Sequence, residues 1–341
     1  MPAAHWLALA VTLSAAWLTV AAIRRAALTT ATGRTFFTSG THGPARWGLL
    51  ILATVAALAL AAPLVAPYAP SAQLDIVALQ NRPPSFAHPL GTDLYSRDVW
   101  SRLLFGARVS LAVGALGMGV AVTVGTAVGA VAGYWRGAVD AVLMRVVDVG
   151  LSVPRIFVLL VLAGLWERMP VGVLVLAIGL TSWFGTSRLV RAEVLAARER
   201  EFVQAARAVG AGTARIVVRH ILPNAAAPIF VTAALGTGAV MLLESGLSFL
   251  GIGVAAPLPS WGNMIADARD SVRSAPWSVL APGLAIGLVV TACAAVADGL
   301  RDALDPRRAR RASEQLAPFP GSWDLSSPMR DPRPDTPRNR A

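Results

Sequence analysis

Arg198 to Asn224 reads REREFVQAARAVGAGTARIVVRHILPN, the longest charged interval between two apolar runs of membrane length, Val171 to Phe184 and Pro228 to Leu243. Phe202, Ala206 and Val209 recur at i, i+4 and i+7, with Arg200, Gln204 and Arg207 opposite them. That spacing predicts a short amphipathic helix. Gly210 and Gly212 interrupt it, because glycine relieves the steric cost of a sharp reversal. A second helix is expected from Thr213, as N-cap, through Ile216, Val217 and Ile221, ending at Pro223. The interval therefore reads as a helix, a glycine elbow and a second helix on a membrane surface. Its pattern fits a docking device and, equally, a loop whose arginines rest on lipid headgroups.

The rest of the chain explains why a membrane is expected. Of 341 residues, 55% are hydrophobic and 14% charged, and the mean hydropathy is +0.59, far more apolar than a soluble domain. Seven apolar runs approach the roughly 20 residues a helix needs to cross the hydrocarbon core. They are Trp6–Ile23, Trp47–Ala66, Val109–Tyr134, a run starting near Val146 and ending at Trp166, Val171 to about Ser187, Pro228 to about Phe249, and Val279–Val296. The stretch Ile156–Trp166 is too short to cross alone, so its span is expected to start earlier, leaving Asp148 and Arg155 near an interface. Between Tyr68 and Arg108 lies a polar segment, and Val99, Leu103 and Leu104 within it read as an interfacial helix leading into the bilayer. Gly125, Gly129 and Gly133 form a small-residue stripe at spacing four, where another helix can approach closely.

A net charge of +11 raises the question of nucleic acid, but the basic residues are dispersed among the loops rather than gathered on one face. With alternating sides, one set of loops holds Arg24–Arg46, Arg136–Arg155, Arg188–Arg219 and Arg301 onward, while the other set is arginine-poor. The positive-inside rule places the first set, and with it the hairpin, in the cytoplasm. All basic residues are arginine. Without lysine there is no P-loop lysine for nucleotide phosphates and no Schiff base.

Catalytic and metal constellations are missing as well. His5, His42, His88 and His220 lie far apart, Cys293 is alone in an apolar run, and neither H-E-x-x-H nor G-x-S-x-G occurs. Glu244 is the one acid well inside an apolar run, in AVMLLESGLSFLG. A carboxyl there reads either as a lining group of a polar translocation path or as a helix-packing hydrogen bond.

Gln204-Ala205-Ala206, Gly210 and Leu222-Pro223 resemble the EAA loop of importer permeases of the ATP-binding-cassette class. Further stretches resemble the second permease subunit of dipeptide, oligopeptide and nickel importers: HPLGTD at His88–Asp93, RDVWSRLLFGAR at Arg97–Arg108 and MRVVDVGLSVP at Met144–Pro154. The same holds for ARAVGAGTARIVVRHILPN at Ala206–Asn224, LSFLGIGV at Leu247–Val254, PSWGNMIADAR at Pro259–Arg269 and DGLRDALDPR at Asp298–Arg307. The resemblance runs in order from about Trp47 to Arg307.

It implies an all-α integral membrane protein of the cytoplasmic membrane, with a six-helix permease core over 47–305. The extra N-terminal membrane helix and basic linker expected over 1–46 have no counterpart in that pattern, and the Pro/Arg-rich composition of 306–341 reads as a disordered tail. The resemblance implies that Gln204, Ala205, Ala206, Gly210, Leu222 and Pro223 form the coupling loop docking on a separate ATPase. Its other implied partners are a second permease subunit, an extracytoplasmic solute-binding protein and membrane lipid, with no cofactor and no hydrolysis of ATP by this chain. The implied mechanism is alternating access driven by ATPase closure. Peptides are the expected cargo; nickel or a metal chelate, or a non-transporting scaffold, are the alternatives. Three departures stand out: Gln204 replaces the acid that names the loop, His220 stands where the broader pattern has isoleucine, and Ser96 stands where the family usually has glycine.

Overall fold

The computed structural model describes residues 9–14, 17, 21 and 43–304. The expected N-terminal helix over 6–23, apart from short helical pieces, and the tail beyond 305 lie outside the described residues. Everything described is helical or loop; the sole pairing of strand type there is one bridge between Thr92 and Asp98.

Ten of the helices among the described residues organise the fold. They are α1 Gly43–Leu60, α2 Val99–Trp135, α3 Gly137–Ser152, α4 Arg155–Ala163, α5 Val171–Arg198, α6 Glu201–Ala208, α7 Thr213–Ile216, α8 Ala226–Phe249, α9 Trp261–Asp267 and α10 Trp277–Leu304. By length and composition α1, α2, α5, α8 and α10 can each cross a bilayer, and the pair α3–α4 makes a sixth crossing if taken as one bent span. Five or six candidate spans among the described residues agree with the expected six-helix core.

Two boundaries differ from the sequence reading. The expected interfacial helix before the second span does not exist as a separate element: α2 runs unbroken for 37 residues, about 55 Å at 1.5 Å per residue. Asp98 starts it, accepting from the Ser101 N–H at 2.8 Å, so the polar N-cap and the apolar run belong to one helix. The next span is broken rather than continuous. Pro154 cannot donate and forces Val153 into an extended conformation (ψ 123°), and the axes of α3 and α4 diverge by 77°.

The glycine stripe explains the central packing. A Cβ on Gly125 would sit 2.7 Å from the Thr186 Cβ, and one on Gly133 2.9 Å from the Val194 Cβ. On Gly129 it would lie 2.8 Å from the Val190 Cβ. The stripe lets α5 lie directly on the α2 backbone, as small residues do between membrane helices. α10 packs on α1 through Gly48, where an added Cβ would meet Ala292 O at 2.7 Å. Cys293 is buried in the cluster around Met241, Val289 and Trp261.

Candidate coupling hairpin and its buried polar partners

At the end of α5, Arg198 and Glu199 remain helical and Arg200 turns extended, which starts α6. α6 ends in a Schellman motif. The Ala211 N–H donates to Ala206 O at 3.0 Å and the Gly210 N–H to Arg207 O at 2.9 Å, while Gly210 has φ +78°. That left-handed conformation is why glycine occupies the elbow.

The second arm differs from expectation. Thr213 is the first helical residue, with Gly212 rather than Thr213 as N-cap. Pro223 does not end the helix. Val217–Ile221 widens into a π-turn, in which the Leu222 N–H donates to Val217 O, and Leu222–Asn224 continues helically before a single turn residue leads into α8. The wider turn accommodates the missing proline N–H. The hairpin arm and the following span are therefore nearly one rod.

The buried face is only partly the expected one: Ala206 is buried as expected, Phe202 and Val209 are not. Val203 and Ala206 point inward with Ile216, Val217 and Ile221, packing on Val190, Val194 and Ala197 of α5 and Ala130 and Tyr134 of α2. Phe202 and Val209 point outward, 36% and 86% exposed. Roughly a quarter turn separates the two readings at 3.6 residues per turn, and Ala206 belongs to both, because both apolar pairs satisfy helical spacing. Of the expected coupling residues, Gln204, Ala205, Gly210 and Pro223 are exposed, Leu222 is half-buried and Ala206 is buried. Gln204 Nε2 donates to Glu199 O at 3.1 Å.

Tyr134 takes a part that the sequence does not signal. Arg198 Nη1 donates to its carbonyl at 2.5 Å, and the guanidiniums of Arg198 and Arg207 stand 5.5 and 5.4 Å from its ring centroid. One aromatic thus joins α2, the end of α5 and α6. Its position at the end of a span reads as an ordinary interfacial aromatic, so nothing local marks the role. Two further ion pairs brace α3 on α5: Asp140 takes Arg191 through both oxygens at 2.5 and 2.6 Å, and Asp148 takes Arg188 at 2.5 Å.

At the opposite end of the rod, Glu244 of α8 has no exposed surface. Its Oε1 accepts from Ser248 Oγ at 2.7 Å and from Ser260 Oγ at 2.9 Å. Ser260 caps α9 in a reciprocal box with Asn263. Trp261, the next residue, donates its N–H to Ser110 Oγ on α2 at 3.0 Å and its indole N–H to Leu103 O at 3.0 Å. Glu244 therefore ties α9 and the preceding loop to α8, while Trp261 ties them to α2. In this chain the carboxyl meets no open channel.

Beside it the segment before α2 is clamped onto the end of α9. Asp93 accepts from Arg97 Nε and Arg102 Nη1, both at 2.7 Å, and Asp267 accepts from the same two guanidiniums at 2.7 and 3.0 Å. His88 Nδ1 lies 2.9 Å from Asp98 Oδ1. Ser96 is fully buried with φ +59°, a conformation glycine adopts without penalty, which is the physical reason that glycine suits this position.

Residues 125–310, more than half of the chain, match the family described as binding-protein-dependent transport system inner membrane component. The dipeptide transport system permease protein DppC of Alkalihalophilus pseudofirmus is 41% identical over 261 residues, covering 76% of this chain and 84% of that protein. The chain belongs to this permease family. A putative peptide permease protein of Brucella suis is 41% identical over 268 residues, with 76% and 86% covered. A putative peptide transport system permease protein of Brucella abortus is 39% identical over 268 residues, with 78% and 88% covered. The permease is accordingly a multi-pass membrane transport subunit, and the hairpin and Glu244 both fall inside the matched region.

Proposed function

We propose that this permease is half of a pair that imports peptides across the cytoplasmic membrane, fed by an extracytoplasmic binding protein and driven by ATPase subunits docked on residues 198–224. The observation that carries the coupling role is the outward pair Phe202 and Val209 on a hairpin whose other face is rigidly seated. Exposed apolar side chains on a firm base are what a partner surface uses. Gln204, Ala205, Gly210, Leu222 and Pro223 would lie at or beside the contact, and Ala206 would support it from below. The arginine distribution favours the cytoplasmic side for the hairpin. Peptide cargo is supported by the relatives named as dipeptide and peptide permeases.

Force would pass along two routes. Through Val203, Ile216 and Ile221 it reaches α5 and α2. Through the π-turn it enters α8, whose far end holds α9 by Glu244. A push on the hairpin can then be felt at the opposite membrane face, as alternating access requires. For Glu244 we assign this anchoring role ahead of a place on the path wall, because it is wholly enclosed in this chain.

The test is co-expression with a second permease, ATPase subunits and the binding protein, followed by reconstitution and measurement of ATP hydrolysis on adding peptides or nickel. Stimulation by peptides is expected. Stimulation by nickel alone would reassign the cargo, and stimulation by neither would favour a scaffold. Val209→Asp is expected to abolish ATPase co-purification while the chain still inserts; ATPase retained at wild-type level would remove the docking assignment.

A further inference from the structure

Arg155 opens α4 at the break in the bent span. Its Nη1 donates to Ser182 Oγ at 2.9 Å. Ser182 Oγ in turn donates to Ile178 O at 2.5 Å, so the serine serves the guanidinium as an acceptor and holds the arm in place. No carboxylate pairs with Arg155 among the described residues. The acids of the adjoining α3 are already taken, Asp140 by Arg191 and Asp148 by Arg188.

The depth of this cation follows from α5. Ser182 stands 11 residues from Val171, where α5 begins, about 16 Å along the axis at 1.5 Å per residue. Arg191 stands 20 residues in, about 30 Å, the thickness of the hydrocarbon core. Arg155 is therefore held near mid-membrane, not near an interface as its place in the sequence suggests. An arginine at that depth faces water or protein rather than lipid. The backbone points the same way. Leu151 to Pro154 are exposed in this chain, Val153 and Pro154 among them are not helical, and irregular backbone at membrane depth is tolerated only beside protein or a water-filled cavity. The start of α4 adds its own partial positive charge at the same place, as broken helices do around anionic groups of solutes.

We propose that Arg155, positioned by Ser182 at the start of α4, lines the water-filled path between this chain and its partner and binds the anionic group of the passing solute. For a peptide that group is the C-terminal carboxylate. The assignment rests on the peptide-import reading above. The fork of a guanidinium matches a carboxylate with two parallel N–H donors. Nη1 is engaged with Ser182, which leaves the Nε and Nη2 edge for the carboxylate.

The experiment uses the complete transporter in proteoliposomes, with trialanine and trialanine amide each at a concentration that saturates the binding protein, as measured on that protein alone. The wild type is expected to take up the free acid about tenfold faster than the amide, the size of one charge-assisted hydrogen bond. Arg155→Gln should bring the ratio of acid to amide uptake down to about one, and Arg155→Lys should restore part of the difference. Ser182→Ala, which removes no charge and disturbs insertion least, should lower the ratio about threefold, on the same scale. A wild-type ratio of one, or a ratio unaltered in Arg155→Gln or in an inserted Ser182→Ala, overturns the proposal. So does loss of the second permease from Arg155→Gln preparations, which would pair the cation with an acid of that subunit. Failure of wild-type uptake of both peptides would instead remove the peptide reading itself, so the two failures are separable.

Discussion

Replacing Glu244 with alanine tests whether α9 and the loop before it are held to α8 by a single carboxyl. Three effects compete. Ser248 and Ser260 each lose the acceptor they now reach at 2.7 and 2.9 Å, and a buried donor left unpaired costs about 1–3 kcal/mol. A space is left in a site with no exposed surface, worth a further ~2–4 kcal/mol by analogy with large-to-alanine changes in cores. Against these, a buried carboxyl whose Oε2 has no hydrogen-bond partner is itself unfavourable by several kcal/mol if ionised, and its removal relieves that. The balance is a loss of about 3–5 kcal/mol, or roughly 10 °C in the unfolding midpoint of a domain this size. Glu244→Gln keeps the Oε1 acceptor and the volume, and is expected to stay within about 1 kcal/mol of the wild type. The assay is thermal unfolding of the purified permease in detergent, together with peptide uptake by the assembled transporter. A fall for alanine with a small change for glutamine supports the anchor. If alanine unfolds within about 2 °C of the wild type, the anchoring role is wrong. If glutamine keeps stability but loses uptake, the carboxyl acts on the path after all.

Gly129→Leu should prevent α2 and α5 from meeting, since even a Cβ there would lie 2.8 Å from the Val190 Cβ; the expected result is degradation or aggregation, read by fluorescence-detected gel filtration. Asp267→Asn removes the charge shared by Arg97 and Arg102 while Asp93 still holds both. Because Asp267 is about a third exposed, a modest loss of about 1 kcal/mol is expected, checked by the same thermal assay. A larger loss would mean that the clamp is more than a surface pairing.

Much of the architecture is legible in the amino-acid sequence. Apolar runs of membrane length, broken by proline and by arginine-rich loops, leave no alternative to a multi-pass helical protein, because lipid offers no partner for open backbone. The glycine stripe announces a close helix contact but does not name its partner; only the fold chooses α5. Two of the local expectations that differ from the structure show why. Both Phe202/Val209 and Val203/Ala206 obey helical spacing, so periodicity does not select the face that packs on α2 and α5. Pro223 carries a strong stop signal, yet a π-turn absorbs it and the arm runs on into α8.

The site residues divide the same way. The hairpin is visible as a motif because its turn demands glycine at Gly210, a requirement written into local backbone geometry. Its brace at Tyr134, the closed shell around Glu244 and the guanidinium of Arg155, which meets no carboxylate among the described residues, are not visible, since each depends on side chains from helices distant in sequence. Helix type, the position of the apolar spans among the described residues and the elbow follow from near-neighbour sterics and from the cost of polar groups in lipid, and the order of residues alone suffices to read them. Which face of the hairpin packs inward, which acid is enclosed and which cation stands apart from the acids around it are properties of pairs. The chain brings those pairs together only by packing, so they emerge only from the folded molecule.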